Sequence, residues 1–199
     1  MGQRTVYYKP TNGRTLRENL KRDYKQFRDW VLKSNDQSLT EDNERLINAD
    51  LEMLLNENPT DKFEEWSQES LDNLVFEYLL TYCDYGPGQE EFKIVGPMMS
   101  TWRYEKSSKL INGTSDKDLM TIWNYLIKGR SIKNNSSFIS SHNDGQVIGF
   151  WDWSERDFLS QRLVKFDKGL KDNEGIEYVL SVIDELKNDK SDLIINVEK

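Results

Sequence analysis

The chain has 199 residues, a net charge of −8 and 50 Leu, Ile, Val and Phe residues, enough length and apolar content for one core-forming domain spanning 1–199. Acidic residues outnumber basic ones 35 to 27, which argues against direct nucleic-acid binding through phosphate neutralisation. No apolar run reaches the roughly 18 to 20 residues that cross a bilayer, and the single Cys83 and single His142 leave no internal disulfide and no Cys/His zinc site.

In chain order, Thr5 to Tyr8 reads as a short extended start, followed by a turn at Pro10-Thr11-Asn12-Gly13. Thr15 and Glu18 have capping-box spacing, and Leu16, Leu20, Phe27 and Val31 recur at helical period, so a first helix is expected to about Lys33. A second helix is signalled by Ser38 to Glu41 with Ile47, Leu51, Leu54 and Leu55, stopped by Pro59. A third carries Leu71, Leu74, Val75, Tyr78, Leu79 and Tyr82 and ends in the loop Cys83 to Gly88. Phe92 to Val95 reads as a strand, Gly96-Pro97 as a break, and Met98 to Tyr104 fits no single pattern.

Ser115 to Asp118 then opens a helix carrying Leu119, Ile122, Trp123, Leu126 and Ile127, with Gly129 at the expected left-handed end. Asn143-Asp144-Gly145 marks a tight hairpin within 138–151. A helix is expected from Ser154 to Gly169 and another from about Asn173 to Leu186, and the apolar run 193–197 reads as a terminal strand. The sum is an α+β domain, helix-dominated, with about six helices and a small, mostly antiparallel sheet. Strands and helices do not alternate in a βαβ rhythm, so a doubly wound nucleotide-binding sheet is not expected.

No GxSxG, GxGxxG, P-loop or HExxH motif is present. A Cys83/His142 dyad oriented by a nearby Asp or Asn is conceivable chemistry for a hydrolase-like enzyme, with Asp152 between Trp151 and Trp153 as a further carboxylate. The plainer reading makes Cys83 a small buried hydrophobe, His142 a solvated turn residue and Asp152 a neighbour of a helix N-terminus. No catalytic residue, cofactor or metal is therefore expected.

Charge layout says more. Residues 1–33 hold nine Lys and Arg against three Asp and Glu, whereas residues 34–92 hold two against sixteen. Laying the basic first helix on the acidic second and third would neutralise these blocks within the fold. Left exposed, the acidic block would steer and dock a basic protein, such as a toxin or a nucleic-acid-binding enzyme. The expected partner-binding residues are Asp42, Glu44, Glu52, Glu64, Glu65 and Glu69, with Trp102, Tyr104, Trp151 and Trp153 as aromatic contacts. The functional expectation is a non-enzymatic, cytoplasmic acidic binding protein of the inhibitor or immunity/antitoxin type, of bacterial or phage character. The alternatives are an enzyme built near Cys83, His142 and Asp152, and a structural subunit that uses its terminal strand as a pairing edge.

Overall fold

A computed structural model describes residues 4–34, 73–75, 78–83, 88, 92–131, 147–166 and 173–198. Its centre is a four-stranded antiparallel sheet built from β1 (Arg4–Pro10), β2 (Phe92–Ser100), β3 (Val147–Trp151) and β4 (Leu193–Glu198), in the order β2-β1-β4-β3. Around it lie α1 (Leu16–Ser34), a π-helical turn (Tyr78–Tyr82), α2 (Thr101–Asn112), α3 (Lys117–Lys128), α4 (Trp153–Leu163) and α5 (Glu174–Glu185). The described residues thus form a helix-dominated α+β fold.

The sheet is covered on both faces, and strand alternation decides which residue meets which helices. Tyr7 lies opposite Ile195 and Val95, and Gly149 opposite Ile195. With Leu193, Val197 and Trp151 they face a core built from α2 to α5, including Tyr104, Trp123, Leu126, Leu159 and Val179. The intervening residues Ile148, Phe150 and Ile194 face a second core of Leu16, Leu20, Phe27 and Val31 from α1 with Tyr78 and Tyr82. Burial on both sides explains why 193–197 is apolar at four of its five positions and does not alternate, with Asn196 buried as the exception.

β4 is paired to β1 on one side and to β3 on the other. This corrects the expectation that the terminal strand offers an open pairing edge: β4 is an interior strand, and the reading of a subunit joined through it loses its basis. The C-terminal strand of the expected hairpin is β3, which pairs with β4, while the Asn143-Asp144-Gly145 turn lies outside the described residues. The second helix and most of the third lie outside them as well.

The first helix follows its sequence signals closely. Glu18 accepts from the Thr15 amide at 2.7 Å, and Thr15 Oγ1 accepts from the Glu18 amide at 3.2 Å, the reciprocal pair of a capping box. Leu16, Leu20, Phe27 and Val31 are all buried. Asp23, also buried, accepts from the Tyr78 hydroxyl at 2.6 Å and from the Arg22 guanidinium, tying α1 to the π turn. Cys83 closes that turn by donating its amide to the Tyr78 carbonyl five residues back, at 2.9 Å.

Candidate functional site

The site is built where α4, the end of α5 and the loop into β4 meet. α4 begins one residue earlier than its Ser154 signal, because Asp152 is the cap: its side chain accepts from the Glu155 amide at 2.8 Å and the Ser154 hydroxyl at 2.6 Å. Glu155 reaches back to the Asp152 amide at 3.0 Å and also accepts from Arg130 at 2.6 Å. The Arg130 guanidinium lies against the rings of Tyr125 and Phe150, 4.4 and 4.3 Å from their centres, so the ion pair sits on an aromatic bed. Capping fixes the direction of α4 and thereby decides what its residues do. Trp153 projects outward at the first helical position, and Arg156 turns inward one turn later.

Arg156 is 3% exposed and donates to the carbonyls of Leu186 at 3.3 Å, Asp189 at 2.7 Å and Ser191 at 2.6 Å. One buried cation thus holds the whole turn that follows α5. Burial lowers its pKa, and the opposing charges of Asp189, Asp192 and Asp152 work to keep it protonated. Asp189 forms an ion pair with Lys9 and accepts from the Ser191 hydroxyl at 2.6 Å and amide at 2.8 Å. Burial alone would raise its pKa, but these hydrogen bonds hold it at about 2.

Asp192 is buried and accepts from the Leu16 amide at 2.8 Å, so the residue just before β4 supplies a carboxylate to the N-terminus of α1 across 176 residues of sequence. Burial raises its pKa to about 6, with Asp152 adding to the rise and the Leu16 amide, Arg130 and Arg156 opposing it. Because the folded value exceeds the unfolded one of about 4, the protonated form stabilises the fold. That contribution is complete below pH 4 and is lost as pH rises through 6. Asp192→Asn keeps an acceptor for Leu16 and removes the buried charge, so it should raise stability at pH 7 by on the order of 2 kcal/mol and change little at pH 4. Urea unfolding at the two pH values reads this, and a loss of stability at pH 7 would reverse the assignment. Asp189 acts with the opposite sign: its contribution is present above pH 4 and disappears as pH falls towards 2.

Between the outer face of α4 and the turn lies a groove of about 410 Å³, with Trp153, Asp157 and Ser160 along one wall and Asp184, Lys187 and Lys190 along the other. Arg156, Ile183 and Leu186 also line it. It is continuous, through Asp184 and Lys187 to Lys190, with a shallower depression of about 560 Å³ that reaches Glu185 and the turn at Thr11 and Gly13. Trp153 is 49% exposed, with the Lys190 ammonium 5.4 Å from its ring centre. Asp184 and Glu185 occupy the last turn of α5, which carries no basic residue, so two carboxylates add to the negative end of the helix dipole.

The structure divides the residues expected to bind a partner. Trp102 and Trp153 are about half exposed. Tyr104 and Trp151 are wholly buried, which corrects their assignment to a binding surface. Tyr104 faces the α2–α5 core and accepts from the Tyr7 hydroxyl at 3.2 Å, while Trp151 ends β3 facing the same core and donates to the Ile122 carbonyl at 2.8 Å. Trp102 lies two residues before Tyr104 in α2, about 200° round the helix and so on its other side, and Trp153 is parted from Trp151 by the cap Asp152, where strand gives way to helix. Asp42, Glu44, Glu52, Glu64, Glu65 and Glu69 lie outside the described residues, as does His142.

Cys83 is buried in the α1 core and Asp152 is committed to its cap. Alkylation of the native protein by a thiol reagent at neutral pH should therefore run well below the rate of the unfolded chain. A faster native rate would return Cys83 to consideration as a nucleophile.

Residues that sequence reasoning passed over are Arg156, Asp157, Ser160, Asp184, Lys187 and Lys190. Their only signal was a spacing of three or four along the expected helices, placing 153, 156, 157 and 160 on one face. Among the described residues no group of three His, Cys, Asp or Glu could hold a metal ion, and no helix is long and apolar enough to cross a membrane. Comparison with protein-family models, curated proteins and solved structures gives no match.

Proposed function

We propose that this chain is a non-enzymatic acidic binding protein of the inhibitor or immunity type, which occludes a basic protein partner and receives one of that partner's cationic side chains in the groove beside Trp153. The observation that carries the reading is the pairing of an exposed indole with carboxylates at a helix C-terminus around one concavity. A half-exposed Trp at the lip of a groove has the character of an interface hot spot. Its ring face already accommodates an ammonium, that of Lys190, and a partner's Lys or Arg would take that place. Asp157 and Asp184 in the groove, with Glu185 in the adjoining depression, offer carboxylates to that cation, alongside the mobile-stemmed Lys187 and Lys190 that it would displace. The overall charge of −8 steers a basic partner towards the molecule before contact is made.

The test is binding to a panel of small basic proteins, with an acidic protein of similar size as control. A member that binds should lose about tenfold in affinity with Trp153→Ala, near 1.4 kcal/mol, and weaken further as salt rises. Binding that ignores both the indole and the salt would remove the support for this reading.

A further inference from the structure

The turn between β1 and α1 holds an Asn-Gly pair, Asn12-Gly13, and the link between α2 and α3 holds a second, Asn112-Gly113. Such a pair can lose ammonia without an enzyme. The backbone nitrogen of the glycine gives up its proton to hydroxide and attacks the asparagine Cγ, the Cγ–Nδ2 bond breaks, and Nδ2 leaves as ammonia with a proton from water. Water then opens the five-membered imide at either carbonyl, giving aspartate or isoaspartate. Glycine favours the reaction because no Cβ hinders the approach and its backbone turns freely through either sign of φ. Within a fold, the rate depends on whether the glycine nitrogen is free and on where Cγ is held relative to it.

The fold holds the two pairs differently. Asn112 is the last residue of α2, and the Gly113 amide donates to the Lys109 carbonyl at 3.2 Å, followed by the Thr114 amide to the Ile111 carbonyl at 3.0 Å. Attack by the Gly113 nitrogen therefore requires the end of α2 to open first. Gly13 has a φ of +71° and open space around its Cα, and its amide donates to no acceptor among the described residues. Asn12 Oδ1 accepts from the Arg14 amide at 3.1 Å, an Asx turn whose ring includes the Gly13 nitrogen and folds Cγ towards it. The same Arg14 N–H stands where negative charge develops on Oδ1 as the nitrogen adds. Asn12 Nδ2 donates to Asn19 Oδ1 at 2.6 Å, and Asn19, which is buried, donates in turn to the Thr15 carbonyl at 3.1 Å. That bond ties the turn to α1 and leaves the Gly13 nitrogen unblocked. Asn12 and Gly13 are both exposed, so water and hydroxide reach the reacting atoms.

We infer that Asn12 is a site of spontaneous deamidation, at which the native turn itself presents the side chain to the Gly13 nitrogen. Conversion replaces the donor to Asn19 Oδ1 with a carboxylate facing another acceptor, so the tie from the turn to α1 is lost and the turn gains a negative charge. The inference is independent of the binding reading, since it needs no partner. The test is incubation of the full chain at mildly alkaline pH, natively and in urea, followed by peptide mapping with mass spectrometry and isoaspartate-specific labelling at both pairs. In the native chain Asn12 should convert about tenfold or more faster than Asn112, and in urea the two rates should draw together, because the α2 end no longer protects Gly113. Three results would overturn the inference: native Asn112 converts as fast as Asn12, native Asn12 stays intact over a period in which the unfolded chain reacts, or the ratio of the two rates is the same in urea as in the native chain.

Discussion

Gly149→Ala should destabilise the protein by about 3 kcal/mol, more than a single methyl group costs at most buried positions, because there is no flexible side chain to yield. A Cβ at Gly149 would stand 2.2 Å from the Tyr125 carbonyl oxygen and 3.5 Å from the Gly129 Cα. Both neighbours are backbone, in α3 and in the residue that ends it. The close approach is fixed on either side of the contact: Arg130 donates its amide to the Ile148 carbonyl at 2.9 Å, and the Trp151 indole donates to the Ile122 carbonyl at 2.8 Å. Accommodation of the methyl therefore requires α3 to lift from β3, parting it from Ile195 and the core beneath. Gly13→Ala is the natural comparison. Gly13 has a φ of +71° and nothing within 4 Å of an added Cβ, so its cost is backbone strain alone, about 1 kcal/mol. Urea unfolding of both variants separates the two effects, and a Gly149→Ala cost no larger than that of Gly13→Ala would mean that α3 is not seated on the sheet.

Arg156→Met should cost about 3 to 5 kcal/mol despite keeping most of the apolar stem. The guanidinium donates to three backbone carbonyls of the turn after α5, two of them at 2.7 Å or less, and its positive charge lies at the negative end of that helix. Removing it leaves Leu186, Asp189 and Ser191 with buried acceptors to solvate or rearrange. Arg156→Lys should recover only part of the loss, because one ammonium cannot reproduce a planar fork that spans three residues. The turn also forms a wall of the Trp153 groove and places Asp189 against Lys9, so the damage should appear first as faster amide hydrogen exchange in residues 186–191. Exchange unchanged there in Arg156→Met would show that the turn holds itself.

How much of this was legible depended on whether burial was achieved with side chains of recognisable type. α1 and α5 were readable because Leu16, Leu20, Phe27 and Val31, and Ile176, Val179 and Ile183, form apolar stripes at helical period. α2 was not, although it is equally embedded. Its buried face mixes Tyr104 and Ile111 with the small polar Thr101, Ser107 and Ser108, and near Ser107 Gly175 of α5 approaches so closely that an added Cβ would meet Ser107 Oγ at 2.8 Å and the Arg103 carbonyl at 3.0 Å. Ser107 and Ser108 answer by bonding, one accepting from the Gly175 amide at 3.1 Å and the other from the Trp123 indole at 2.7 Å. Close helix packing of this kind erases the hydrophobic period.

The candidate site was legible only in part for a similar reason. An aromatic residue outside a helical stripe can be exposed or can belong to a strand or a helix start, and its neighbours do not say which. Trp151 and Trp153 flank one cap residue, yet one is wholly buried and the other half exposed. The buried charges were hidden because their partners lie far along the chain: Asp192 accepts from the Leu16 amide, Asp189 pairs with Lys9, and Arg156 donates to carbonyls about thirty residues away.

The central claim is that a basic partner is received at the Trp153 groove, and the most direct measurement is an amide and indole nuclear magnetic resonance titration of the full chain with a short arginine-rich peptide. The Trp153 indole N–H and the amides of Asp157, Ser160 and Asp184 should shift together along one saturable curve that weakens with salt, while the Trp102 indole stays in place. Shifts that centre on Trp102, or that spread over the acidic surface without saturating at Trp153, would contradict it.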